Sequence, residues 1–152
     1  MSSSSERATV KGARPQINSA KVVDTIKTDE VHWNADWKSG DAGKLTAHFA
    51  PKATVMMPGA APIQGQAAIK DVVQQAMDDP AFTFIFASEK VDVAGSGDLA
   101  VSRGAFTETS TDPKTKTVIT TKGSFVTVYK PGPDGVWRAT WDIATPGPAA
   151  GS

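Results

Sequence analysis

The sequence predicts one α+β domain, with helices in its first half and a run of antiparallel strands in its second. Two observations carry this. Apolar residues recur at helical spacing up to about residue 77, and from Phe82 onward they alternate, in segments parted by Gly-, Pro- and Asp-rich turns. A chain of 152 residues lies within the single-domain range and buries enough surface for one core.

Residues 1–18 are Ser-rich, polar and without periodicity, which predicts a mobile arm, and 146–152 read as a similar tail. Between them Val22, Ile26, Trp33 and Trp37 fall within about 60° of one another at 100° per residue, predicting an amphipathic helix over Ser19–Ser39 that Gly40 ends. Asp41 is placed to cap a short second helix carrying Leu45 and Phe49, which Pro51 prevents from continuing. A strand is expected at Ala53–Met57, closed by Pro58 and Gly59. A third helix over Gln66–Met77 puts Ile69, Val72, Val73 and Ala76 on one face.

Four strands follow, at roughly 82–94, 98–110, 116–130 and 135–145. Gly95-Ser96-Gly97-Asp98, Asp112-Pro113-Lys114 and the stretch Pro131 to Gly135 supply the turns between them. Their order is a meander. All exceed the common strand length of about 5 to 6 residues, so bulges and curvature are expected.

Composition narrows the partners. Lysine plus arginine balance aspartate plus glutamate at 16 each, so no net field draws the chain to nucleic acid or to an anionic membrane, and neither is expected. The absence of cysteine removes disulfides, thiolate metal sites and a cysteine nucleophile. No apolar run near Met1 has the length of a secretory signal, which makes the cytoplasm the default location. Neither a phosphate-binding glycine loop nor a dinucleotide fingerprint is present, so no cofactor is expected, and any chemistry would run on side chains. The two histidines do not stand at i, i+4 spacing, and no metal is expected.

Several short motifs, in this order and at these spacings, are shared with a known superfamily: Glu30-x-x-Trp33, Gly40-Asp41, Leu45 with Phe49-Ala50-x-x-Ala53, Met57-Pro58-Gly59 and Ile63-x-Gly65-x-x-Ala68-Ile69. Gly97-Asp98-Leu99-Ala100, Arg103-Gly104, Gly123-Ser124-Phe125 and Asp134-Gly135-x-Trp137-Arg138, leading to Asp142, complete the set. Over about residues 20 to 145 the chain resembles the nuclear transport factor 2-like superfamily, in its SnoaL-like and ketosteroid isomerase-like branch. The resemblance implies a cone-shaped, cystatin-like fold in which helices pack on a strongly curved sheet and enclose a pocket. It also implies a homodimer formed through the sheet. It does not imply one reaction, since the family supports catalysis, carriage and association.

Ketosteroid isomerases use an aspartate base with an oxyanion hole of a tyrosine and a protonated aspartate. Aligned through the shared motifs, the tyrosine position falls on Trp33, the base on Met57 and the second aspartate on Gly123. Neither Met57 nor Gly123 transfers a proton, so steroid isomerisation by that mechanism is rejected.

If Phe125 faces the pocket, as the resemblance implies, alternation adds Gly123 and Thr127, and neighbouring strands add Ser102, Gly104, Phe106, Thr140 and Asp142. Trp33, Trp37, Met57 and Phe84 complete the expected lining. Asp142 is the candidate catalytic residue, because a carboxyl poorly solvated among aromatic side chains has a raised pKa suited to proton transfer. Its alternative role is to accept hydrogen bonds and fix packing.

Other groups are read as structural. Asp29, Glu30 and Asp36 are placed on the solvated border of the first helix, and His32 and His48 on the surface. Arg103 is expected on the outer sheet face, either paired with a carboxylate at a subunit contact or solvated. Trp137 and Trp141 are expected to share one face, opposite Asp142, as core or dimer contact. Gly59 to Ile63 reads as a rim loop or a simple turn. Two functions remain open: a SnoaL-like domain that binds a small, mostly apolar molecule, with acid/base chemistry of isomerase, lyase or hydrolase type, or a noncatalytic homodimeric association or carrier module.

Overall fold

Asn18 opens the first helix by accepting a hydrogen bond from Lys21 N at 3.0 Å, one of the backbone donors that a helix start leaves unpaired. A computed structural model of the chain describes residues 18–148. The arm expected over 1–18, Asn18 apart, and positions 149–152 of the tail lie outside the described residues. Helix α1 spans Ser19–Ser39 and stops at Gly40, whose φ of 73° is the left-handed conformation that glycine adopts without steric cost. Asp41 caps α2 (Ala42–Thr46) by accepting from Lys44 N. Strands β1 (Phe49–Met56) and β2 (Ile63–Gln64) precede α3 (Gln66–Met77), and β3 (Thr83–Val93), β4 (Ala100–Thr111), β5 (Val118–Pro131) and β6 (Trp137–Pro146) follow.

The strands form one mixed sheet in the order β2-β1-β6-β5-β4-β3, antiparallel except where β1 runs parallel to β6. The β3-to-β6 meander is as expected. The first strand, however, begins at Phe49 and not at Ala53, and includes Pro51. A proline has no N–H for the ladder, and the β1–β6 register is interrupted between Phe49 and Thr54, where Pro51 lies. Met57 falls just past the strand end, and a turn with Gly59 at φ 74° leads to the short β2.

A second irregularity changes which residues face inward. Val128 is paired with Trp141 and Tyr129 with Ala139, so Thr140 is the extra residue of a bulge. Strict alternation fails there. Ala139 and Asp142 therefore share the inner face, and Thr140 is not on Asp142's side as alternation predicted. The same bulge separates the two tryptophans expected on one face: Trp137 packs against the core, while Trp141 lies on the outer face, 53% exposed.

Helix α1 packs on β3, and α3 on α2 and β1. The core between helices and sheet includes Ile26, Trp33, Leu45, Phe49, Ile69, Phe86, Phe106, Phe125 and Tyr129. Each such large side chain stabilises the fold by about 1.5–3 kcal/mol through burial. Trp33 is central, with edge contacts to Phe49 and Phe86 at 5.0 and 5.5 Å. Because β3 is an edge strand, its free backbone groups need partners. Asn34 of α1 supplies two, donating to Phe86 O at 2.9 Å and accepting from Phe86 N at 3.0 Å. Together these contacts hold α1 across the concave face.

Candidate functional site

The concave face and the helices leave a cavity of about 350 Å³. Trp33 and Trp37 come to it from α1, Ile69, Val72, Val73 and Ala76 from α3, and Phe84, Phe86, Phe106 and Phe125 from successive strands. Met56 and Met57 reach it from the end of β1. The lining is mostly apolar, with Thr121, Thr127, Glu108 and Asp142 supplying polar side chains. Of the residues singled out in the sequence, Trp33, Trp37, Met57, Phe84, Phe106, Phe125 and Asp142 stand around this cavity; Ser102 and Thr140 do not.

Asp142 faces the cavity from the centre of the sheet, paired with Thr127 on β5 and Val55 on β1. Thr127 Oγ1 donates to its Oδ1 at 3.0 Å. Burial pushes the Asp142 carboxyl up to about 6, with the Thr127 hydrogen bond pulling the other way. Desolvation wins because a single hydroxyl replaces a full hydration shell. Near neutral pH such a group both takes and returns a proton.

Glu108 was missed by the sequence reading. It sits two residues beyond Phe106 on β4, so alternation places it on the same inner face, a signal the sequence already held. Its carboxyl is half-buried and raised above the usual range by desolvation. Directly across from it on β3 is Phe84, which packs against Trp37 and Phe106 at 5.5 and 5.4 Å. Trp37 Nε1 is buried and without an acceptor among the described residues.

The three residues that the sequence motifs align with the isomerase machinery can be located. Trp33 and Met57 stand in the lining, but Gly123 packs directly under the Phe106 ring and cannot carry any side chain there without a shift. The carboxyls of this pocket come instead from Asp142 on β6 and Glu108 on β4, neither on the strand of Gly123.

Ser102 has another partner. It is fully buried and donates to Glu30 Oε2 at 2.9 Å, while Ser88 N donates to Glu30 Oε1 at 3.2 Å. Glu30 is thus 5% exposed and not on a solvated helix border, because two polar groups of the sheet replace its water. His48 is likewise not on the surface: its ring lies 2.9 Å from Asp29 and 2.7 Å from Asp36, stacked 4.9 Å from Trp33. Asp29 and Asp36, two turns apart on one side of α1, converge on it. Burial lowers the His48 pKa, but the hydrogen bonds and charges of Asp29 and then Asp36 together raise it above 6.5. His32 and Arg103 are exposed. Among the described residues, no group of three or more His, Asp or Glu is arranged to hold a metal ion, and no helix is long and apolar enough to cross a membrane.

Helices laid over the concave face of a curved mixed sheet, around an apolar cavity with an internal carboxyl, define a class of pocket-bearing α+β domains. The SnoaL-like domain model matches residues 31–141, and the chain belongs to that family. Among solved structures it is similar to a ketosteroid isomerase-like protein from Erwinia carotovora atroseptica SCRI1043, with a TM-score of 0.70 at 18% identity over 82% of this chain and 96% of the other. An NTF2-like protein with a cystatin-like fold from Novosphingobium aromaticivorans gives a TM-score of 0.64 at 20% identity, covering 88% of this chain and 89% of the other. A nuclear transport factor 2-like superfamily protein from Salmonella enterica serovar Typhimurium LT2 gives 0.69 at 14% identity, covering 88% and 96%. At these identities the likeness concerns the fold. No curated protein matches the sequence.

Proposed function

We propose that this chain binds a small, mostly apolar organic molecule in the cavity between helices and sheet, and that Asp142 exchanges a proton with it. The observation that supports this most is a carboxyl held near 6 while facing a mostly apolar lining. The chemistry would be of isomerase, lyase or hydrolase type, with no part for the isomerase tyrosine and aspartates that this chain lacks.

The outer sheet face supports a second reading, association through a second copy. Trp141 and Ile85 are 53% and 55% exposed there, on β6 and on the edge strand β3, and Val126 is 36% exposed on β5, next to β6. Burying large apolar side chains of this kind is what a subunit contact accomplishes. The two readings are compatible, since the cavity and this face lie on opposite sides of the sheet.

Native mass spectrometry of protein purified from its own host tests both readings, through subunit count and retained small molecule. Asp142→Asn then separates the roles of the carboxyl. As a proton-transfer group Asp142 costs stability when ionised, so the Asn variant should lose any turnover and melt a few degrees higher at pH 8, with little change near pH 4. A variant that instead melts lower at both pH values would mark Asp142 as a packing group and leave the association reading.

A further inference from the structure

The Glu108 end of the cavity differs from the Asp142 end. On β5 their partners are Thr121 and Thr127, six positions apart, or about 20 Å along an extended strand, so the two carboxyls do not act on one atom. Glu108 also has no hydrogen bond or ion pair among the described residues, whereas Asp142 has Thr127. The group surrounding Glu108 is aromatic: Phe84 lies opposite, Phe106 stacks on Phe84, and Trp37 packs against both Phe84 and Phe82, the latter at 5.2 Å.

Electrostatics decide what such a corner accepts. The cavity lining contains two carboxyls and no lysine, arginine or histidine. An anionic ligand would add a third negative charge to a poorly solvated space with nothing to neutralise it. A cation gains twice, from the carboxylate and from the negative faces of the aromatic rings. Glu108 is half-buried without an internal counter-charge, which is the situation that a ligand cation relieves.

We infer that the Glu108 corner is an ammonium subsite, and that the cavity prefers apolar organic amines whose charged end sits between Glu108 and the Trp37–Phe84 cluster. This deepens the proposed function and rests on the cavity being a ligand site. It assigns Glu108 a specificity role and not a catalytic one, the hydrocarbon body of the ligand filling the space between the two carboxyls.

Three probes with one apolar body and different ends test this: 4-phenylbutylamine, 4-phenylbutanol and 4-phenylbutyrate, titrated at pH 7.5 by calorimetry and by quenching of tryptophan emission. The amine should bind about tenfold or more tighter than the alcohol, and the carboxylate weakest. Glu108→Gln should remove the amine's advantage while changing alcohol binding less than about twofold, and Asp142→Asn should leave the advantage in place. The wild-type ranking needs no variant, so the result does not hinge on how Glu108→Gln folds. Equal binding of amine and alcohol, or an amine preference that survives Glu108→Gln, overturns the subsite while leaving the ligand-binding reading intact. If none of the three binds, both fail.

Discussion

Thr127 Oγ1 donates to Asp142 Oδ1 at 3.0 Å across the β5–β6 pair, the one hydrogen bond of the cavity's central carboxyl among the described residues. The contact favours the ionised form, whereas burial favours the neutral one. The carboxyl is held near 6 because the two influences oppose each other.

Removing the hydroxyl should therefore move the titration upward. Thr127→Val preserves shape on the inner face and deletes the donor, so the Asp142 midpoint is expected to rise from about 6 by roughly one further pH unit. Carbon-detected NMR of the Asp142 carboxyl across pH 4 to 9 reads it directly. A midpoint that stays put or falls would show that solvent, not Thr127, sets the protonation of this group. The stability consequence has a definite sign. Because the folded value is raised, the neutral acid's contribution is complete below its usual 3.8 and is lost as pH climbs through about 6.

His48 gives a different pH window. A neutral imidazole donates through one nitrogen only, yet both nitrogens lie within 3 Å of carboxylates, at 2.9 Å from Asp29 and 2.7 Å from Asp36. This geometry suits the charged ring, with His32 and Lys44 the other basic groups nearby. A folded pKa above 6.5 means that the stabilisation is complete below that value and is lost as pH rises through the folded value. His48→Gln should cost about 1–3 kcal/mol at pH 6 and visibly less at pH 9. Urea titrations of both proteins at the two pH values decide it; a pH-independent difference would mean that His48 matters only through its stacking on Trp33.

What was legible in the sequence was what is local. Gly40 and Asp41 mark a helix end and a helix start through their own backbone and side-chain preferences, and the third helix runs over the predicted Gln66–Met77. Strand alternation located the inner face until β6 took an extra residue at Thr140. That bulge depends on the register with β5, which no stretch of β6 reveals by itself. The buried polar groups were illegible for a related reason. Glu30 meets Ser102 across 72 residues of chain, and His48 meets Asp29 across 19. Until those partners are known, a carboxylate on an amphipathic helix reads as solvated. Glu108 is the exception, since alternation from Phe106 already placed it inward.

The departure from the isomerase pattern at Gly123 has a steric cause, which yields the last prediction. A Cβ at this position would lie 2.7 Å from Cε2 and Cζ of Phe106 and still closer to the carbonyl oxygen of Thr145. The space that a second aspartate would need is therefore already occupied by a ring on β4 and by the backbone of β6. Gly123→Asp should not restore isomerase chemistry and should destabilise the fold by about 1–3 kcal/mol or more through overpacking. Gly123→Ala should show much of the same loss, because the first carbon is already in conflict. Adding Phe106→Ala to Gly123→Ala removes the ring but not the Thr145 carbonyl, so the second change cannot fully rescue the first. Thermal unfolding of the three variants, with an assay for steroid double-bond migration, tests the point. A Gly123→Asp protein as stable as wild type and active in that assay would show that the Phe106 ring yields readily, and that this pocket lacks the isomerase residue for reasons other than space.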